Sequence, residues 1–222
     1  MKWFFPLFFL IISSLHSSEI NFVVGANIEY GNVKATSKNL DISTGGSSQT
    51  TVNLSLTGLG GGVQGGGTFV WNAFYMAILG KIAFMDRKGK NFTDGFYINP
   101  YFDETSLSQK MKYGGEIHLG FTKESLFFAL LGGCIQSKFQ AYQGYLTTLS
   151  STVHKQTDNK YPLGAEIGFV FGYDLPWHLK LEGLFSYIFY QTIHVKEIYS
   201  DENSLKFTPR ESSFSIRLYY LF

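Results

Sequence analysis

The sequence predicts an all-β fold: a closed, up-and-down antiparallel β-barrel of about eight strands that crosses a membrane. Three observations predict it. Apolar residues recur at every second position in six segments, the period that gives one face of a strand a single environment. Short turns alternate with long polar connections along the chain. The apolar faces carry no charge, although charged residues make up 16% of the chain.

The chain begins with a different kind of segment. Lys2 precedes the apolar run from Trp3 to Ile12, and the small polar residues Ser13, Ser14, Ser17 and Ser18 follow. A positive start, a short apolar core and a small-residue exit read as a signal peptide over residues 1–18, with the barrel domain over 19–222. The run is too short for a membrane-spanning helix, which needs about 20 residues. The formal charge is +1, with no basic footprint for nucleic acid. Cys134 is the sole cysteine, so no internal disulfide is available.

The alternating segments follow in order. Phe22, Val24, Ala26, Ile28 and Tyr30 form the first set, and Phe74 to Phe84 the next clear one. Met111 to Phe121, Leu163 to Tyr173, Leu179 to Phe189 and Phe214 to Phe222 continue the pattern. Two further strands are less regular. Over 51–70, Leu54 and Leu56 are out of phase with Leu59, Val63 and Phe69, which predicts a bulge in the Gly-rich middle. Over 125–139 both faces are apolar near Phe127 to Leu131, and the register stays open. Turns are read at Trp71-Asn72, Thr122 to Glu124 and Asp174 to Trp177. Long loops are read at 33–50, 87–109, 140–160 and 191–210. Strict alternation of short and long connections puts all turns and both termini at one end, the periplasmic side of an outer-membrane barrel.

Volume and charge assign the faces. The apolar face holds most of the large side chains, while the opposite face holds Gly25, Gly31, Gly114, Gly120, Gly164, Gly168 and Gly172. An eight-stranded barrel has little interior room, so small residues are expected inside and large ones against lipid. The inner face also carries Glu29, Lys81, Lys112, Glu116, His118, Glu166, Lys180, Glu182 and Arg217. A charge facing lipid at mid-membrane costs about 2–4 kcal/mol, whereas opposite charges facing inward can pair. The expectation is a barrel-interior charge network with Arg217 as its hub.

The ending Phe214, Ile216, Leu218, Tyr220 and Phe222, with an aromatic last residue, resembles the terminal strand of bacterial outer-membrane barrels. With eight strands and four long connections, the chain resembles the small OmpA/OmpX-like barrels. That resemblance implies a C-terminal signal read by barrel-insertion machinery, outer-membrane lipid around the wall, and extracellular loops.

No motif supplies chemistry. Gly60 to Gly65 fits a dinucleotide-loop pattern, but that loop needs a helix after the glycines, and Phe69-Val70-Trp71 continues a strand. Ser150, Ser151, His154, His194 and Glu197 lack a recognisable catalytic spacing. Outer-membrane lipid deacylases carry His and Ser two residues apart on a strand; here His118 is followed by Gly120. Glu116 and His118 lack the further ligands of a metal site. The sequence therefore predicts no cofactor and no enzyme. It predicts an outer-membrane protein with a structural or surface-interaction role, met by an extracellular ligand or host surface at Tyr142, Tyr145, Lys155, Lys196, Tyr199, Asp201 and Glu202. The alternatives are a narrow porin-like channel and, behind it, a lipid-modifying enzyme.

Overall fold

The computed structural model describes residues 18–43, 46–94, 102–147, 150–197 and 200–222. The predicted signal segment falls almost wholly on 1–17, outside them. Ten strands are formed: β1 Ser18–Ser43, β2 Gly46–Trp71, β3 Phe74–Asp94, β4 Phe102–Lys123, β5 Leu126–Thr147, β6 Ser150–Lys160, β7 Leu163–Leu175, β8 Leu179–Tyr190, β9 Ile193–Glu197 and β10 Ser200–Leu221. They make eight staves, because β6 and β7 are one stave broken at Tyr161-Pro162, and β8 and β9 another broken at Gln191-Thr192. Every neighbouring pair is antiparallel, and β1 pairs with β10 from Val23↔Leu221 to Lys38↔Lys206, which closes the barrel. The Phe222 amide donates to the Phe22 carbonyl at 2.9 Å and seals the seam at the turn end. Closure satisfies the backbone where no water is present to do so.

The lipid-facing band is visible as a run of exposed apolar side chains. On β1 it extends from Ile20 to Tyr30, on β3 from Phe74 to Phe84, and on β7 from Leu163 to Tyr173. Eleven residues at about 3.3 Å each, tilted by about 40°, rise roughly 25 Å, the height of the apolar belt of such barrels. No charged residue faces outward within this band on the described strands.

Three expectations are corrected. The segments read as long loops are mostly strand: β1 runs on to Ser43, β3 to Asp94 and β10 starts at Ser200. Among the described residues the outward side chains there are polar (Asn32, Lys34 and Thr36 on β1, Asp86, Lys88 and Lys90 on β3, Lys206, Thr208 and Arg210 on β10), so the lipid-facing signal ends although the strand does not. The phase change over 51–70 is not a bulge, since the β1–β2 register is continuous from Ser18↔Trp71 to Ser43↔Gly46. Leu54 and Leu56 are buried inside, while Leu59 and Val63 face outward at 60% and 61% exposure. The strand keeps its phase, and it is the apolar environment that changes side. The third correction concerns volume: large side chains are inside as well, among them Tyr75, Phe127, Phe139, Tyr190, Phe207 and Tyr219.

The inward glycines explain how these fit. A Cβ at Gly172 would stand 2.2 Å from the Phe127 ring, one at Gly25 2.6 Å from the Tyr219 ring, and one at Gly31 2.6 Å from the Arg87 guanidinium. These glycines are sockets for large inward residues close by on the wall: Phe127 and Tyr219 are the directly paired residues of the neighbouring strands, and Arg87 reaches over from two strands away. On β5 the open register resolves without irregularity: Phe127, Ala129 and Leu131 point in, and Leu126, Phe128 and Leu130 point out. The register does shift on either side of Lys110, between Phe84/Arg87 and Met111/Gln109 and between Gln109 and Met111 against β5. That shift turns both Lys112 and Gln109 inward.

Candidate functional site

The lumen is filled in four layers. At the turn end lies an apolar layer containing Tyr75, Leu79, Phe127, Leu131, Val170 and Tyr219. The Tyr75 and Phe127 rings are 4.6 Å apart between centroids. The Lys180 ammonium sits 4.6 Å from the Tyr75 ring and 4.5 Å from the Phe127 ring, favourable cation–π geometry. Lys180 also reaches Asp174 at 3.5 Å. It thus belongs to this layer rather than to the ion pairs above.

The second layer is built around Glu116. Both terminal nitrogens of Arg217 donate to it, Nη1 to Oε1 and Nη2 to Oε2 at 3.1 Å. Lys81 donates to Glu116 Oε2 at 2.8 Å and to Glu166 Oε2 at 2.7 Å. His118 Nε2 lies 3.1 Å from Glu116 Oε1. Glu182 stands 3.9 Å from Arg217 and accepts no direct hydrogen bond at its Oε2. The hub is therefore the carboxylate Glu116 rather than Arg217, whose planar fork is bound to one partner on both sides.

The third layer was only half legible. Arg87 Nη2 donates to Glu29 Oε1 at 2.7 Å, and its Nη1 donates to Glu211 Oε1 at 2.6 Å. Lys112 joins the same two carboxylates at 2.5 and 2.9 Å. Tyr190 donates to Glu211 Oε2 at 2.7 Å, and Gln109 bridges Arg87, Glu211 and Ser137. Sequence reasoning placed Glu29 and Lys112 inside but missed Arg87, Glu211, Gln109 and Tyr190. All but Glu211 and Tyr190 fall in segments read as loops. The signal that could have found them is two-residue continuity: Arg87 extends the inward series Lys81, Ala83, Met85, and Glu211 the series Arg217, Ser215, Ser213.

The fourth layer, at the hairpin end, is apolar again: Val33, Leu54, Leu56, Leu107, Ile135, Phe139, Ile188, Ile193, Val195 and Phe207. Phe139 meets Tyr190 edge-on at 5.4 Å. Across the two charged layers and Lys180, five buried glutamates (29, 116, 166, 182, 211) face five buried cations (Lys81, Arg87, Lys112, Lys180, Arg217). That one-to-one balance lets charges exist in a narrow interior, where an unpaired one is expensive.

The remaining candidates are dispersed. Phe214, Ile216, Leu218, Tyr220 and Phe222 all face outward at the closing seam. Gly60 to Gly65 lies within β2, with no helix after it. His194 is exposed, opposite Lys206, while the side chains of Ser150, Ser151, His154 and Glu197 lie outside the described residues, as do those of Tyr145, Lys155, Lys196, Tyr199, Asp201 and Glu202. Cys134 is exposed on the lipid-facing side of β5. Among the described residues no three of His, Cys, Asp and Glu gather as a metal site.

These features define a class: a closed eight-stave membrane barrel with a lumen packed by ion pairs between two apolar layers. No protein-family model matches the chain and no curated protein matches it. Solved structures similar to it include Neisserial surface protein A, at 13% identity and TM-score 0.40 over 90% of this chain and 97% of that one. The outer membrane protease OmpT from Escherichia coli is similar at 6% identity and TM-score 0.44, over 91% and 97%. The attachment invasion locus protein Ail of Yersinia pestis is similar at 9% identity and TM-score 0.33, over 89% and 98%.

Proposed function

We propose that this chain is an integral protein of a bacterial outer membrane that presents a rigid β crown outside the cell, with a structural and surface-interaction role. One observation carries the reading. The wall continues past the lipid band as paired strands whose apolar side turns inward, around the fourth layer. From Tyr30 to Thr36, the described part of this stretch on β1, the strand rises roughly a further 15 Å, at about 3.3 Å per residue and a tilt of about 40°. A stretch that is polar outside and apolar inside is a water-exposed barrel with its own core. Such a crown holds the hairpin ends at low entropic cost, which favours recognition by preorganisation.

The packed lumen argues against a channel. It also argues against catalysis there, since the charged groups are engaged with one another. The outward aromatic ending at Phe222 fits delivery by barrel-insertion machinery. The test places single cysteines at Gln143, Asn203 and Lys123 in a Cys134→Ser background, on intact cells, with a membrane-impermeant thiol reagent. Labelling at 143 and 203 but not at 123 is expected, and cells bearing the barrel should adhere to a host-cell layer more than cells in which residues 139–160 are replaced by a short turn. Labelling only at 123 inverts the topology. Equal adhesion with and without the hairpin removes the interaction role.

A further inference from the structure

The closing seam changes character abruptly above the lipid band. Tyr30 faces Phe214, and the next outward pairs on β1 and β10 are Asn32↔Ser212, Lys34↔Arg210 and Thr36↔Thr208, with Lys206 one step further. Lys34, Lys206 and Arg210 are all exposed, and His194 on β9 stands opposite Lys206. Like charges directly opposed across an antiparallel pair are unfavourable. Among the described residues none of the three cations has an ion-pair partner. Among the described residues of β1, β2, β8, β9 and β10, no acidic side chain faces outward beyond Tyr30. Glu211, next to Arg210, points inward and is held by Arg87 and Lys112.

Two grooves share this seam. The upper, of about 750 Å³, is lined by Asn32, Lys34, Tyr187, Thr192, Lys206 and Arg210 among others. Beneath it, a groove of about 420 Å³ runs between Ala26, Ile28, Tyr30, Leu59, Phe214 and Ile216. Lys34 is four residues beyond Tyr30, roughly 10 Å above the edge of the lipid band at about 3.3 Å per residue and a tilt of about 40°, from where a lysine side chain reaches down into the headgroup layer of about 5–8 Å. An anionic head above an apolar trough is the shape of one molecule.

We propose that this seam is a binding site for a phosphorylated membrane lipid of the leaflet at the hairpin end. The phosphate lies among Lys34, Lys206 and Arg210, and an acyl chain lies along the apolar groove. Arg and Lys both suit a phosphate, the first as a planar fork and the second as a point charge. Bound phosphate also relieves the like-charge pair, which explains why the wall tolerates it. The site rests on the membrane-embedded barrel and is independent of any recognition by the hairpins.

The test is native mass spectrometry of the full chain in detergent micelles, with phosphatidate and the diacylglycerol of the same chains as paired probes. The parent is expected to retain phosphatidate roughly tenfold or more over diacylglycerol, given three cations near the headgroup. The triple variant Lys34→Gln/Lys206→Gln/Arg210→Gln should lose that preference, while Lys88→Gln/Lys123→Gln keeps it. Heat-modifiable gel migration checks that each variant is folded, and the parent's two-probe comparison decides the matter even if the triple variant is not. Equal retention of both probes by the parent overturns the proposal, as does a folded triple variant that still prefers phosphatidate. Displacement of phosphatidate by inorganic phosphate at matched concentration would also overturn it, because the acyl groove would then contribute nothing.

Discussion

Glu116→Gln is the sharpest perturbation of the lumen. It keeps the side chain's size and removes the charge on which Arg217, Lys81 and His118 converge. Lys81 retains Glu166 at 2.7 Å, so it is not stranded. Arg217 is 2% exposed, and its other carboxylate, Glu182, is 3.9 Å away. One buried charge therefore loses its partner, not two, and the expected loss is about 3–5 kcal/mol. Arg217→Met should cost less, since Glu116 keeps Lys81 and His118, and Glu182→Gln should cost only about 0–1 kcal/mol because no direct hydrogen bond is lost there. The double variant Glu116→Gln/Arg217→Met should cost clearly less than the sum of the singles, because the main penalty of Glu116→Gln, a stranded Arg217, is absent once Arg217 is gone. Equilibrium urea unfolding in phospholipid vesicles, followed by tryptophan fluorescence, measures all four. Glu116→Gln and Arg217→Met both within about 0.5 kcal/mol of the parent, or strictly additive effects of the two, would refute an ion-paired lumen and leave solvated charges in its place.

Other perturbations probe the remaining layers. Glu211→Gln removes the acceptor shared by Arg87, Lys112 and Tyr190, but both cations retain Glu29, so about 1–3 kcal/mol is expected in the same assay. Gly172→Val forces a side chain into the Phe127 ring and should cost about 1–3 kcal/mol. Gly132→Ala, with nothing within 4 Å of its added carbon, should be neutral or stabilise by about 0.4–1 kcal/mol. Glu124 occupies a left-handed conformation at φ 56° in the turn between β4 and β5, so Glu124→Gly should stabilise the barrel by about 1 kcal/mol. A fall in stability for Glu124→Gly would show that its side chain has a role the backbone does not reveal.

The sequence carried the membrane band almost completely, because lipid imposes one rule on every outward position from Ile20 to Tyr30 or Phe74 to Phe84. It carried the crown poorly for the same reason. Beyond Tyr30 the outward residues Asn32, Lys34 and Thr36 are polar, and the inward Val33 and Ala35 are apolar, so the alternation reverses its meaning while the strand continues. A phase change in hydrophobicity at Leu54 to Leu59 then looks like a bulge. The real irregularity, at Lys110, falls where polar residues hide it. Interior charges on the band strands were legible as interruptions of polarity on an inward face. Their pairing was not, because it depends on which staves lie across the lumen: Lys81 on β3 meets Glu166 on β7, and Arg217 on β10 meets Glu116 on β4. Only closure of the sheet brings them together.

The layered interior has a consequence for transport. A porin needs a continuous aqueous path, but here the two apolar layers lie at the ends of the lumen and ion pairs fill its middle. Planar-bilayer recording of the refolded, detergent-purified chain therefore tests the central claim most directly. Verified insertion of folded barrels is expected to produce no large, stable conductance steps, in high salt as in low. A reproducible, wide, weakly selective conductance from the parent chain would contradict it and make the lumen a pore.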